Sequence, residues 1–130
     1  MTALPQPAPS RLHHIHLELA REPGAPAGDE RFGYDLVLPL GPDDQLDAEA
    51  ALSFAERCRV RRFRPDGEDA IGRLAHVAGD RWVFDYRDGD NDDEAGFRFA
   101  AERFLIGEYV SIADDAGRMH TFRITRVEPV

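Results

Sequence analysis

Three stretches of this 130-residue sequence carry side chains that could do chemistry. The first is HHIHLE, residues 13–18. On a β-strand, residues two apart project side by side, roughly 6.5–7 Å apart along the backbone. His14, His16 and Glu18 then form one row. Zinc takes three or four N, O or S ligands at about 2 Å, and two imidazoles with a carboxylate are suitable donors. These three residues are the metal candidates, and a divalent metal is the one cofactor the residues suggest. The plain alternative is the wet face of an ordinary strand. The other histidines are His13, His76 and His120. His120 shares parity with Phe122 and Ile124 and belongs on an inner face. His14 and His16 alternate with Ile15, Leu17 and Leu19 and face outward. His76 has the parity of Leu74 and conflicts in the same way, unless Ile71 and Val77 define the inner face. That opposition counts against a closed structural metal site and leaves an exposed two-His-one-carboxylate site open.

The second stretch is RCRVRRFRP, residues 57–65, which places Arg59, Arg61, Arg62 and Arg64 close together after Arg57. Guanidinium groups bind carboxylate and phosphate through paired hydrogen bonds. On a strand Arg59 and Arg61 share a face. The first reading is an internal ion-pair surface, with the acidic stretch at 88–94 as partner. The second is a site for an anionic ligand or an acidic protein.

The third stretch is DGDNDDEAG, residues 88–96. Asp88, Asp90 and Asp92 alternate as the first ligands of a calcium loop do. The pattern then fails, because Asp93 stands where the sharp-turn glycine belongs and Phe99 where the bidentate glutamate belongs. A solvated acidic turn is the expectation. Cys58 falls on the apolar side of a helical pattern and is expected in the core. Ser53 and Ser111 have no nucleophile-elbow setting, and no Gly-rich phosphate or dinucleotide loop is present.

Composition narrows the classes. All 16 basic residues are arginine, which excludes lysine Schiff-base chemistry and lysine-dependent phosphate loops. The absence of lysine fits a GC-rich bacterial genome. The net charge of −9 repels nucleic acid and anionic lipid unless a basic patch overrides it. Nucleic-acid binding therefore ranks below a protein or small anionic partner. A single cysteine excludes an intramolecular disulfide and Cys-pair zinc motifs. No apolar run reaches the ~18 residues of a membrane helix. The first residues, MTALPQPAPSR, lack a basic start and an apolar h-region, so the expected location is the cytoplasm.

These side chains need elements to position them. Residues 1–10, with Pro5, Pro7 and Pro9, read as a disordered tail, and residues 11–130 as one domain. Residues 12–20 alternate as a half-buried strand. Residues 21–33 read as a Gly- and Pro-containing loop. YDLVLPLG follows as a strand, with Tyr34, Leu36, Leu38 and Leu40 on one face; Pro39 puts it at an edge or ends it there. One helix is expected within residues 41–58, N-capped by Asp47, with Ala51, Phe54, Ala55 and Cys58 on its apolar face. RVRRF is a strand candidate. AIGRLAHV and RWVFDY form one hairpin, and EYVSI and MHTFRITRV another. FRF, residues 97–99, begins a further strand. The predicted fold is mainly β, a small antiparallel barrel of six to seven strands with one short helix closing an end; the alternative is an α+β roll.

HHIHLELARE, GYDLVLPL, CRVRRFRP, GRLAH…WVFDY and GEYVSI…MHTFRI together resemble a family of small conserved proteins of alphaproteobacteria that has no assigned activity. That resemblance implies no catalytic residues. HHIHLE is similar to the H-x-H-plus-Glu pattern of cupins but lacks its spacing and glycines. GEYVSI is similar to a segment of flavin-binding reductase barrels, without their flavin contact that follows it.

The leading functional expectation is a non-enzymatic binding or interaction module. It would recognise a protein or an anionic ligand through Arg59, Arg61, Arg62 and Arg64, together with the 21–33 loop. The alternative is a metal-binding protein or metalloenzyme using His14, His16 and Glu18.

Overall fold

The computed structural model describes residues 11–67, 69–78, 81–86, 94–96, 102–114 and 116–130. The expectation of a disordered tail at residues 1–10 lies outside them, as do the acidic turn at 87–93 and the FRF strand.

Alternating apolar residues build the wall of a barrel. The strands are β1 (Arg11–Leu19), β2 (Asp29–Leu40), β3 (Arg59–Phe63), β4 (Ala70–Ala78), β5 (Arg81–Tyr86), β6 (Glu94–Gly96), β7 (Tyr109–Ala113) and β8 (Met119–Pro129). Each pairs antiparallel with the next, and β1 pairs with β8, so the sheet closes on itself. The mainly β antiparallel fold is the one the sequence predicts. The described residues form eight strands where six to seven were expected, and the short β6 lies within the segment read as an acidic turn. The described pairing of β6 with β7 is Ala95 opposite Ala113.

Side chains of one parity fill the interior, as a small barrel requires. Ile15, Leu17, Leu36, Leu38, Phe84, Phe104, Phe122 and Ile124 are fully buried. Tyr34 packs at its centre, 4.9 Å from Phe122 and 5.3 Å from Phe84 between ring centroids. The outward row of β1 is His14, His16 and Glu18, each partly exposed, as the alternation predicts.

β2 begins at Asp29, five residues before Tyr34, and so takes in the end of the expected loop. Two features make this possible. A bulge between Glu18 and Leu19 shifts the β1–β2 register, and Gly33 lets the chains approach closely. A Cβ at Gly33 would lie 1.9 Å from the Leu17 carbonyl oxygen. At the other end, the β2–β3 ladder stops at Val37, so Pro39 needs no partner on that side.

The helix α1 (Ala48–Ser53) is shorter than expected and is followed by a 3-10 turn at Ala55–Arg57. Asp47 is its N-cap and accepts from the Ala50 amide at 3.0 Å. The expected apolar face is only half realised. Ala51 and Cys58 are buried, but Phe54 ends the helix with φ −118° and ψ 40° and is exposed. Leaving helical dihedrals rotates Phe54 away from the face that a 3.6-residue period assigns to it. The helix sits in the β2–β3 connection, where the Asp47 amide donates to the Pro39 carbonyl at 2.9 Å. Phe104 closes over the same end, its amide bonded to the Asp44 carbonyl at 2.8 Å.

Candidate functional site

The barrel register carries the outward row of β1 across three strands. His14 lies opposite Val37, which faces Arg59; His16 lies opposite Asp35, which faces Arg61; Glu18 lies opposite Gly33, which faces Phe63. Asp35 is the hub. Its Oδ1 accepts from His14 Nε2 at 2.8 Å and from His16 Nδ1 at 2.7 Å. Its Oδ2 accepts from Arg61 Nε at 3.1 Å and from Arg61 Nη2. Burial pushes the Asp35 carboxyl up, but the hydrogen bonds from His16, Arg61 and His14 outweigh it and hold the group below its ordinary value. His16 Nε2 also lies 3.2 Å from Glu18 Oε2. The His16 ring stacks on Phe63, with centroids 5.3 Å apart and planes 10° from parallel.

The structure therefore brings His14, His16 and Glu18 onto one outer face and adds Asp35, which sequence reasoning did not single out. Its signal was the outward parity between Tyr34 and Leu36, but parity gives no cross-strand register. The imidazole–carboxylate contacts are hydrogen bonds. Two ligands about 2 Å from a tetrahedral zinc would stand about 3.3 Å apart, farther than the 2.7–2.8 Å found here. Among the described residues, no group of three or more His, Cys, Asp or Glu is arranged to hold a metal ion.

The four candidate arginines are divided between faces. Arg61 is engaged by Asp35 and, through Nη1, by Asp69 at 2.8 Å. Arg62 points inward, buried, with its guanidinium 4.9 Å from the Tyr86 ring centroid. Arg64 stands 5.7 Å over the Phe32 ring. Arg59 remains on the outer face, directly opposite Arg73. Alternation along RVRRF separates Arg62 from Arg59 and Arg61, so the four do not share one surface. Cys58 is fully buried, and burial pushes its thiol up to about 11.

An open concavity lies beside the 21–33 segment. It is a groove of about 960 Å³ between that segment and the outer face of β7 and β8. Arg21, Glu30, Arg31, Tyr109, Thr121 and Arg123 line it, with Glu18 and Asp29. Glu18 is engaged by His16, and Asp29 by Arg31 through Nε at 3.1 Å. The side chains of Arg21, Arg123 and Glu30 make no ion pair or hydrogen bond among the described residues. The uncommitted charge in the groove is thus two guanidiniums against one carboxylate. Tyr109 is 54% exposed and offers a ring beside Arg123, its register partner. The 21–33 segment was expected to contribute contacts; Arg123, Thr121 and Tyr109 were not, because β7 and β8 lie far along the chain from it.

His120 precedes the groove-lining Thr121 on β8. Its Nδ1 lies 3.1 Å from Glu22 Oε2, and its Nε2 3.0 Å from Asp114 Oδ2. His120 shares a face with buried Phe122 and Ile124, as its parity predicts.

Compared with known proteins, the chain matches no family model, no curated protein and no solved structure.

Proposed function

We propose that this protein is a non-enzymatic binding module that holds an anionic group, a carboxylate or a phosphoryl, in the groove between the 21–33 segment and strands β7–β8. The observation that carries the reading is the pair Arg21 and Arg123. Both border the groove, and neither is engaged among the described residues. Guanidinium forks bind such anions through paired, charge-assisted hydrogen bonds. The Tyr109 ring adds an apolar surface with a polar tip, a frequent feature of binding sites. Arg59, of the expected arginine set, lies away from this groove, in a separate concavity with Arg73 and Asp85. A cytoplasmic setting belongs to this reading, and the single cysteine of the chain fits it. No described helix is long and apolar enough to cross a membrane.

The test is a titration of the labelled protein with inorganic phosphate and with a tetraglutamate peptide, followed at Tyr109, Thr121 and Arg123. Saturable shifts there, lost in the double variant Arg21→Glu/Arg123→Glu, are the expected result. Shifts that survive the charge reversal, or none at all, remove the reading.

The second reading is metal binding by His14, His16 and Glu18. What favours it is the shared outer row of β1, which sets two imidazoles and the Glu18 carboxylate side by side, donor types suited to zinc. Mass spectrometry of untagged protein, before and after zinc addition and dialysis, decides it. Stoichiometric metal that disappears in His14→Ala supports the site; metal-free protein after zinc addition removes it.

A further inference from the structure

We propose that His120 is a proton-operated latch on the groove: as an imidazolium it joins Glu22 to Asp114, and loss of one proton releases the segment that carries Arg21. The inference rests on reading the groove as the binding site.

The geometry requires two protons on the ring. Both nitrogens face carboxylate oxygens, Nδ1 at 3.1 Å from Glu22 and Nε2 at 3.0 Å from Asp114. A neutral imidazole has one N–H and one lone pair. It can donate to one carboxylate and must turn a lone pair toward the other. The cluster is shielded enough for that to matter, since the His120 and Asp114 side chains are 18% and 10% exposed.

The two carboxylates are not held equally. Asp114 is built into the β7–β8 turn, where its Oδ1 accepts from the amides of Ala116 at 3.0 Å and Arg118 at 2.8 Å. Glu22 sits on the 20–28 segment, whose backbone bonds past Ala20 close on themselves. Glu22 and Ala25 exchange amide–carbonyl bonds at 3.0 and 2.8 Å, and the Gly28 amide donates to Ala25. The last ladder bond to β8 runs from the Ala20 amide to the Thr121 carbonyl at 2.9 Å. Beyond it, the Glu22–His120 ion pair is the polar side-chain tie of 21–28 to the barrel among the described residues, beside the packing of Ala25 on the core. Glu22 is therefore the end that lets go, and Arg21, one residue before it, moves with it.

Among the described residues, the other groups that face the ring leave this balance in place. Arg118, from the same strand, lies 3.8 Å from Asp114 Oδ2. From β2, the Phe32 ring meets His120 edge-on at 5.8 Å, with the Arg64 guanidinium stacked over that ring. From β7, Ile112 is the apolar register partner. Burial alone would push His120 down, but its hydrogen bonds to Asp114 and Glu22 outweigh this and hold it above its ordinary value. Asp114 is pushed up by burial and, more strongly, held down by His120 and the turn amides. The latch is therefore closed where both carboxylates are ionised and His120 is charged. It opens as pH rises through the His120 titration.

The test uses the full chain without ligand. Amide exchange at Glu22, Ala25 and Gly28, corrected for intrinsic rates, is measured alongside the His120 ring resonances from about pH 5.5 to about pH 9. Protection is expected to fall with the midpoint of His120, by up to about tenfold for each unit that closure raises its pKa. Glu22→Gln should remove the dependence and lower the His120 midpoint, and His120→Gln should give flat protection. Protection that stays flat while wild-type His120 titrates overturns the latch, as does a midpoint unmoved in Glu22→Gln. These readouts fail or succeed without reference to binding. Gating itself is read with the tetraglutamate peptide: several-fold weaker binding near pH 9 than near pH 6 is expected, and equal binding overturns it.

Discussion

The ring of Phe63 lies over Gly33, with its Cζ 2.8 Å from the position a Cβ at residue 33 would take. The two are register partners on β3 and β2. The bare backbone at Gly33 is what lets Phe63 cross the strand and stack on His16, while Arg61 lies over the ring at 5.3 Å. Gly33→Ala would drive a methyl into both that ring and the Leu17 carbonyl. We expect a loss of about 2–3 kcal/mol, the scale of an overpacked site. Gly24→Ala, where nothing lies within 4 Å, is the control and should stay within about 0.5 kcal/mol. Urea midpoints for the two variants check this, and equal midpoints would contradict the packing.

Asp35→Asn tests the hub. The carboxylate is largely buried and accepts from three side chains, so neutralising it should cost about 1–3 kcal/mol near neutral pH. Its depressed folded pKa sets the sign. The stabilisation is present above the ordinary carboxylate value and is lost as pH falls through the folded one. The gap between wild type and Asp35→Asn should therefore close in acid. Unfolding curves at a series of pH values read it directly; a gap that persists into strong acid would refute the assignment.

Cys58 should behave as a core residue. Its thiol is buried and pushed up to about 11, so little thiolate exists at mildly alkaline pH. Native protein should resist a thiol-modifying reagent that labels the urea-unfolded chain at once. Comparable rates in the two states would place the thiol at the surface.

Asp47→Ala removes the side-chain cap from a helix of six residues. A loss of about 1 kcal/mol is expected, the usual cost of an N-cap. Asp47→Asn should recover most of it, because the amide oxygen can still accept from Ala50. Failure of Asn to rescue would assign the effect to something other than the cap.

Several of these features were legible in the chain. Ile15, Leu17 and Leu19 announce the buried face of β1, and their alternation with His14, His16 and Glu18 leaves no other side for those residues. The same period of two places Tyr34, Leu36, Leu38 and Leu40 inside. Asp47 is readable as a cap from its type and place. The division of Arg59, Arg61, Arg62 and Arg64 between faces follows from the same alternation, although charge alone suggested one cluster. Phe54 was misplaced because helical spacing holds only while the helix continues. The start of β2 was missed because Gly and Pro mark 21–33 as a loop, while the bulge at Glu18 draws its end into the ladder.

Local pattern determines which face a residue occupies; it does not determine what stands opposite. The sequence by itself specified a β-rich barrel wall, its inner and outer residues, a capped helix and an acidic chain without lysine. The meeting of His14 and His16 with Asp35 depended on the β1–β2 register. That of His120 with Glu22, 98 residues away, depended on closure of β1 onto β8. Register and closure come from non-local hydrogen bonding and from bulges at Glu18–Leu19 and His16–Leu17. A one-residue slip would turn every outward side chain inward. Only the folded barrel, burying one complete face at once, selects the register that brings these groups together.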